Sequence, residues 1–110
     1  MPRRDWYCED VLSGKIEIKK IWEDKCVLAF HHPTPTAPVH AVVIPRKPIS
    51  SIIALEAVDG ALLMSMVTAV QKVAIETGLS EIGFFVRTNA IASRTTPHMH
   101  WHVMSMEENK

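Results

Sequence analysis

The sequence predicts an α+β domain: a five-stranded antiparallel sheet carrying one long helix and one short one. Three observations lead there. Five short apolar or alternating runs read as strands, several of them separated by tight turns that favour antiparallel pairing. Only one stretch, beginning near Asp59, repeats its apolar residues at helical spacing over several turns. Strands therefore outnumber helices, and the pattern is not that of a doubly wound parallel sheet. A chain of 110 residues suits one domain with one core, here residues 1–110.

Taken in order, "WYCEDVLSG" is a short helix closed by Gly14. "IEIKKIWED" and "CVLAFHH" are two strands joined by a hairpin turn near "EDK". "PTPTAP" is a rigid connection, because proline cannot donate to a central ladder. "HAVVIP" is the third strand, and "KPISSIIALEAVDG" leads into the long helix with Asp59 as its N-cap. Leu62, Leu63, Met66, Val70, Val73 and Ala74 recur along that helix, and Gly78 stops it. "EIGFFVRTN" is the fourth strand, "AIASRTTP" a polar loop, and "HMHWHVM" the fifth strand.

Apolar residues make up 47% of the chain, enough for a real core. Basic and acidic residues balance at 12 each, so no global field steers the molecule to nucleic acid or membrane. Neither is expected as a partner, and an anionic ligand must be held by local groups. Cys8 and Cys26 form no CxxC pair, which argues for a reduced cytoplasmic protein rather than a disulfide scaffold. The N-terminus has no apolar signal region, and the apolar helix is interrupted by Ser65 and Thr68 and reads as core. Arg46 and Lys47 read as a solvated turn, Trp22 and Trp101 as core or interface, and Met64 and Met66 as packing.

The chemistry concentrates in "PHMHWHVMS". Alternate residues of a strand share a face, so His98, His100 and His102 point one way and Met99, Trp101 and Val103 the other. Three readings are open: structural histidines, zinc ligands needing a further partner, or nucleophilic catalysis on phosphorus. In the last, the middle imidazole attacks while its neighbours stabilise the charge that develops. Ser93, Arg94, Thr95 and Thr96 precede it as further donors, and Asn89 ends the strand before.

The same residues resemble the histidine-triad (HIT) superfamily of nucleotide hydrolases and transferases, whose pattern is His-x-His-x-His with apolar residues between. "SGK", "KIWEDKCVLAF", "PTAPVH", "VVIPRKPI" and "GFFVRTN", with the Thr95 loop, resemble its Hint branch in the same order. The likeness runs from about Cys8 to Ser105. It implies the sheet and helices predicted above, in a homodimer. It implies a hydrolase of purine nucleoside 5′-phosphoramidates or adenylylated conjugates, with His100 forming a covalent nucleotidyl intermediate. His98 and His102 complete the catalytic triad. Asn89, Thr95 and His102 would meet the phosphate or leaving group. Tyr7, Cys8, Val11, Phe30, His32 and Pro33 would line the nucleoside cleft. His40, like His98, falls where relatives keep a buried orienting histidine. The implied cycle uses no metal and no cofactor.

The chain departs from this branch at three places. His32 stands where an aspartate normally grips the ribose hydroxyls, and a neutral imidazole offers one acceptor where a carboxylate offers two oxygens. "NAIASRTTPH" is short and lacks the usual glycines, with Arg94 either a phosphate contact or a solvated side chain. The chain ends "MEENK", so the tail that shapes leaving-group choice is nearly absent. Of the CxxC zinc ligands of some relatives only Cys8 remains, with Asp5 near the other position, so no zinc is expected; a degraded site of Cys8, His40 and His98 is the alternative. Two other functions compete: a deadenylating hydrolase of the aprataxin-like type, and a purine-nucleotide-binding scaffold with little turnover.

Overall fold

Five strands align in the order β1-β2-β3-β5-β4, every neighbouring pair antiparallel. They are β1 (Lys20–Glu23), β2 (Val27–His31), β3 (His40–Pro45), β4 (Phe84–Thr88) and β5 (Trp101–Ser105). The structure is a computed structural model that describes residues 5–90 and 97–106, leaving aside the side chain of Cys8. Helix α1 (Gly60–Thr77) lies on one face of the sheet, and a short N-terminal helix of π type (Tyr7–Leu12) lies on the other.

Two core clusters follow from strand alternation. Val27, Ala29, Ala41, Val43 and Val103 meet Met66, Ala69, Val73 and Ala74 of α1. Leu28, Phe30, Val42 and Ile44 point the other way, against Tyr7 and Val11. β3 is therefore buried on both faces, which is why "HAVVIP" is a continuous apolar run rather than an alternating one. Met99 and Val103 join the α1 side and Trp101 packs partly against it, while the histidines face away, as the alternation requires.

The expected elements are present with shifted bounds. The ladder of β5 begins at Trp101, so His100 stands just before it and His98 at a bend before that. β1 is limited to Lys20–Glu23, since Ile16 and Ile18 instead pack on the cluster beneath the N-terminal helix. Glu81 and Ile82 belong to a helical turn, α2 (Leu79–Ile82), not to β4. Gly78 closes α1 at φ 83°, a left-handed conformation that costs glycine nothing sterically.

Asp59 occupies the N-cap position of α1 but makes no cap bond to it. Its carboxylate instead accepts from the Glu56 amide (3.0 Å) and pairs with Lys47 (2.9 Å). Lys47 is exposed in a bend, as a solvated turn residue is, and this pair also ties it to the loop before α1, while Arg46 pairs with Glu23 across the sheet at 2.6 Å. Met66 is a core residue, whereas Met64 is exposed. Residues Ala57–Thr77 are long and apolar enough in composition to cross a membrane, yet one side of α1 is spent on the sheet core.

Ile44→Ala should lower the urea-derived stability by about 2–5 kcal/mol, as truncation of a fully buried side chain does. Ile82→Ala, at 69% exposure, should change it by less than about 0.5 kcal/mol.

Candidate active site

The second face of the sheet is divided. Its apolar half lies under the N-terminal helix, and its polar half carries imidazoles. Val42 on β3 pairs with His102 on β5, and His40 pairs with Met104, so His40 and His102 are diagonal neighbours on one face. His40 Nε2 lies 2.8 Å from His102 Nδ1. His32, just after β2, stacks on His40 with centroids 4.4 Å apart and ring planes 19° apart. His100 meets His102 edge-on at 5.0 Å.

Backbone groups assign the protons. The Thr36 amide donates to His40 Nδ1 (3.2 Å), so a neutral His40 carries its proton on Nε2 and donates it to His102 Nδ1. His102 must then keep its own proton on Nε2. His100 Nδ1 donates to the carbonyl of His98 (2.7 Å), which leaves Nε2 of His100 as a bare lone pair. The Thr34 amide donates to His32 Nδ1 (3.0 Å), so the His32 proton is on Nε2 as well.

All four rings are held neutral. Desolvation is the main cause for each, and it carries His102 down to about 3 and His40 to about 4. Neighbouring imidazoles and the Arg87 guanidinium push the same way on His102 and His40. His100 and His32 are lowered too, His32 with a contribution from His100. Burial thus favours the neutral form of His100, in which Nε2 is an acceptor.

His98 occupies a buried position, the kind that the resemblance implies for it and for His40. It is fully buried, with Nε2 donating to Pro45 O (2.8 Å) and Nδ1 3.0 Å from Asp5 Oδ2. Both nitrogens are occupied, so it acts on the site through its carbonyl, which orients His100. His40 and His98 serve different partners, and the Cys8 side chain of the alternative zinc set lies outside the described residues. His32, His40 and His102 do place nitrogen atoms within 4.8 Å of one another, as metal ligands would. The amides of Thr34 and Thr36 oppose that use. A metal on Nε2 would force a proton onto Nδ1, directly against an N–H donor.

His100 is 5% exposed, with the Tyr7 ring 4.9 Å away. Among the described residues, the sealed polar atoms without partners are the indole Nε1 atoms of Trp22 and Trp101; His100 Nε2 is not one of them. Tyr7, Val11 and Phe30 line this region as members of the second core cluster, so the expected nucleoside-cleft residues are packed wall rather than open surface. Pro33 is exposed and borders a groove with His32. Asn89 is exposed just past β4. Thr95, with Ser93, Arg94 and Thr96, lies outside the described residues.

Arg87 was not anticipated. It stands directly across from His102 in the β4–β5 register, on the histidine face. A charged residue at an alternate position in "FFVRT" was the available signal, but only the register shows which strand it faces. Thr88 supports the same segment by donating to His100 O at 3.0 Å.

With this geometry in view, comparison with known proteins is direct. The HIT domain family model matches residues 13–109. An uncharacterised HIT-like protein of Synechococcus elongatus is 35% identical, covering 87% of this chain and 90% of that relative. A HIT family hydrolase from Legionella pneumophila superposes with a TM-score of 0.83 at 31% identity, covering 92% of this chain and 91% of that one. A HIT family hydrolase from Clostridium thermocellum gives 0.86 at 26% identity, covering 97% and 94%. The chain belongs to the HIT family.

The unfolded chain takes up protons on His40 and His102 near pH 6.5, the folded chain only near 4 and 3. Unfolding therefore binds protons across that window. Stability should be full above about pH 6.5 and fall as the pH drops toward 4. Thermal melts from pH 7.5 to 4.5 should show a declining Tm, and His102→Gln should flatten the decline. A Tm that rises on acidification would contradict it.

Proposed function

We propose that the protein is a nucleotide hydrolase that cleaves purine nucleoside 5′-phosphoramidates or adenylylated conjugates at the α-phosphate through a nucleotidyl-His100 intermediate. The observation that carries this reading is the bare Nε2 of His100, set up by the Nδ1–H bond to the His98 carbonyl. Family membership supports hydrolysis in general; the phosphoramidate class follows from the resemblance to the Hint branch, and the acceptor nitrogen of His100 supports the intermediate.

His100 Nε2 attacks phosphorus and forms a P–N bond. The bond to the leaving group breaks, and the departing amine takes the electron pair and a proton from water at the cleft. His100 retains its Nδ1 proton, and the His98 carbonyl stabilises the positive ring. The His102 Nε2–H donates to a phosphoryl oxygen, and Arg87 adds positive charge on the same face. The hydroxide left by that proton transfer then attacks phosphorus, the P–N bond breaks with its electron pair returning to His100 Nε2, and the nucleoside monophosphate leaves. Splitting one difficult displacement into two, between groups already placed, lowers the barrier.

A fluorogenic adenosine phosphoramidate should yield AMP, and His100→Ala should reduce turnover by at least about 10³-fold, the scale of losing a nucleophile, with an unchanged melting curve. Acid-quenched wild-type enzyme should carry an AMP adduct on His100 by mass spectrometry. Binding of AMP with no turnover by the wild type would replace this reading with the scaffold function.

A homodimer is part of the same proposal. α1 leaves Met64, Val67 and Ile75 exposed, and β4 is an edge strand with Val86 44% exposed on the α1 side. Such apolar surface beside an unpaired edge favours a second copy. Sedimentation should give a dimer, and Val86→Arg should weaken it. A wild-type monomer at micromolar concentration would sink this part.

A further inference from the structure

His98 is a fully buried ring with two nitrogens to satisfy. Pro45 O, a carbonyl that only accepts, takes the proton of Nε2 at 2.8 Å. Nδ1 then meets Asp5 Oδ2 at 3.0 Å. Two lone pairs would repel at that distance, so a proton lies between them. The pair is imidazolium with carboxylate, or imidazole with carboxylic acid. In either state the partner of Nδ1 is Asp5, and losing it would strand a polar atom inside the protein.

The ring is pinned where the backbone needs it. His98 stands at a bend before the β5 ladder, which begins at Trp101. The peptide unit between His98 and Met99 makes two bonds there. Its carbonyl accepts from His100 Nδ1 (2.7 Å), and its N–H donates to Ile49 O (2.6 Å). A trans peptide is planar, so its carbonyl and N–H point in opposite directions and turn together. Rotation of that plane would carry the carbonyl away from His100 and release the tautomer that leaves Nε2 bare. Ile49 holds one end of the plane, and the anchored His98 ring holds the Cα at the other.

Asp5 is itself fixed. Its own carbonyl accepts from the Glu9 amide at 2.8 Å, at the start of the N-terminal helix, and its side chain is largely shielded. Resting on the nucleotide-hydrolase reading above, we propose that Asp5 is a positioning residue: through His98 it holds the carbonyl that keeps the His100 proton on Nδ1 and leaves Nε2 free to attack.

Asp5→Ala and Asp5→Asn test this. The asparagine amide can donate to Nδ1 of a neutral His98, whereas alanine offers no partner. On the fluorogenic adenosine phosphoramidate, Asp5→Ala should lower kcat about tenfold or more, the scale of a small misplacement of a reacting group, with KM within about threefold. Asp5→Asn should keep most of kcat. Long-range ¹H–¹⁵N spectra of the ligand-free proteins should show His100 as a single Nδ1–H form in the wild type and in Asp5→Asn, and as a tautomer mixture in Asp5→Ala. A single Nδ1–H form in Asp5→Ala overturns the inference whatever the kinetics, and so does a mixture accompanied by wild-type kcat. The spectra need no substrate: a wild type without turnover removes the hydrolase reading, and the tautomers alone then decide the role of Asp5. Should Asp5→Ala not fold, His98 in the wild type decides. Hydrogen bonds at both of its nitrogens are expected, and an Nδ1 outside any hydrogen bond sinks the proposal.

Discussion

The register between β3 and β5 is the constraint on which the site depends. Val42 opposite His102 and His40 opposite Met104 put two imidazoles in hydrogen-bond contact. A one-residue slip would turn His102 into the α1 core and Val103 out to the cleft. Burial of β3 on both faces prevents that slip, because every residue of "HAVVIP" already has an apolar or imidazole neighbour. The N-terminal helix and α1 therefore serve the chemistry indirectly, by making one register the only one that buries both clusters.

Proton placement is then decided by backbone, not by side-chain acids. The Thr34 and Thr36 amides face Nδ1 of His32 and His40, and the His98 carbonyl faces Nδ1 of His100. Amides on one set of rings and a carbonyl on the other leave opposite polarities at Nε2. The result is one bare lone pair at His100 among rings that donate. Desolvation keeps all of them neutral, so the polarity persists where an exposed histidine would partly charge. Among the described residues, the carboxylate of the arrangement is Asp5, and it sits behind His98 rather than on His100.

The same rule fixes what His32 offers: the Thr34 amide occupies its Nδ1, so the neutral ring presents a donor at Nε2. The polar turn "HHPTPTAP", with its alternating prolines, holds that amide in place after β2.

Much of this was legible in the residues. The period-two alternation of "HMHWHVM" separated histidines from core residues correctly, since strand geometry allows no other outcome once one face is apolar. The run "HAVVIP", the helical spacing from Leu62 to Ala74 and the stop at Gly78 were equally readable, being local consequences of side-chain shape and backbone freedom. What local pattern could not supply was partnership. Asp59 as a loop anchor, Lys47 and Arg46 as ion-pair members, Arg87 opposite His102, and His98 sealed between Asp5 and Pro45 all depend on residues distant in the chain. The sequence by itself determined that five strands and one long helix form, and which side of the last strand faces the helix. Only the tertiary structure decided which ring nitrogens accept and which donate, because a tautomer is set by whichever backbone group meets the ring, and folding alone brings that group there.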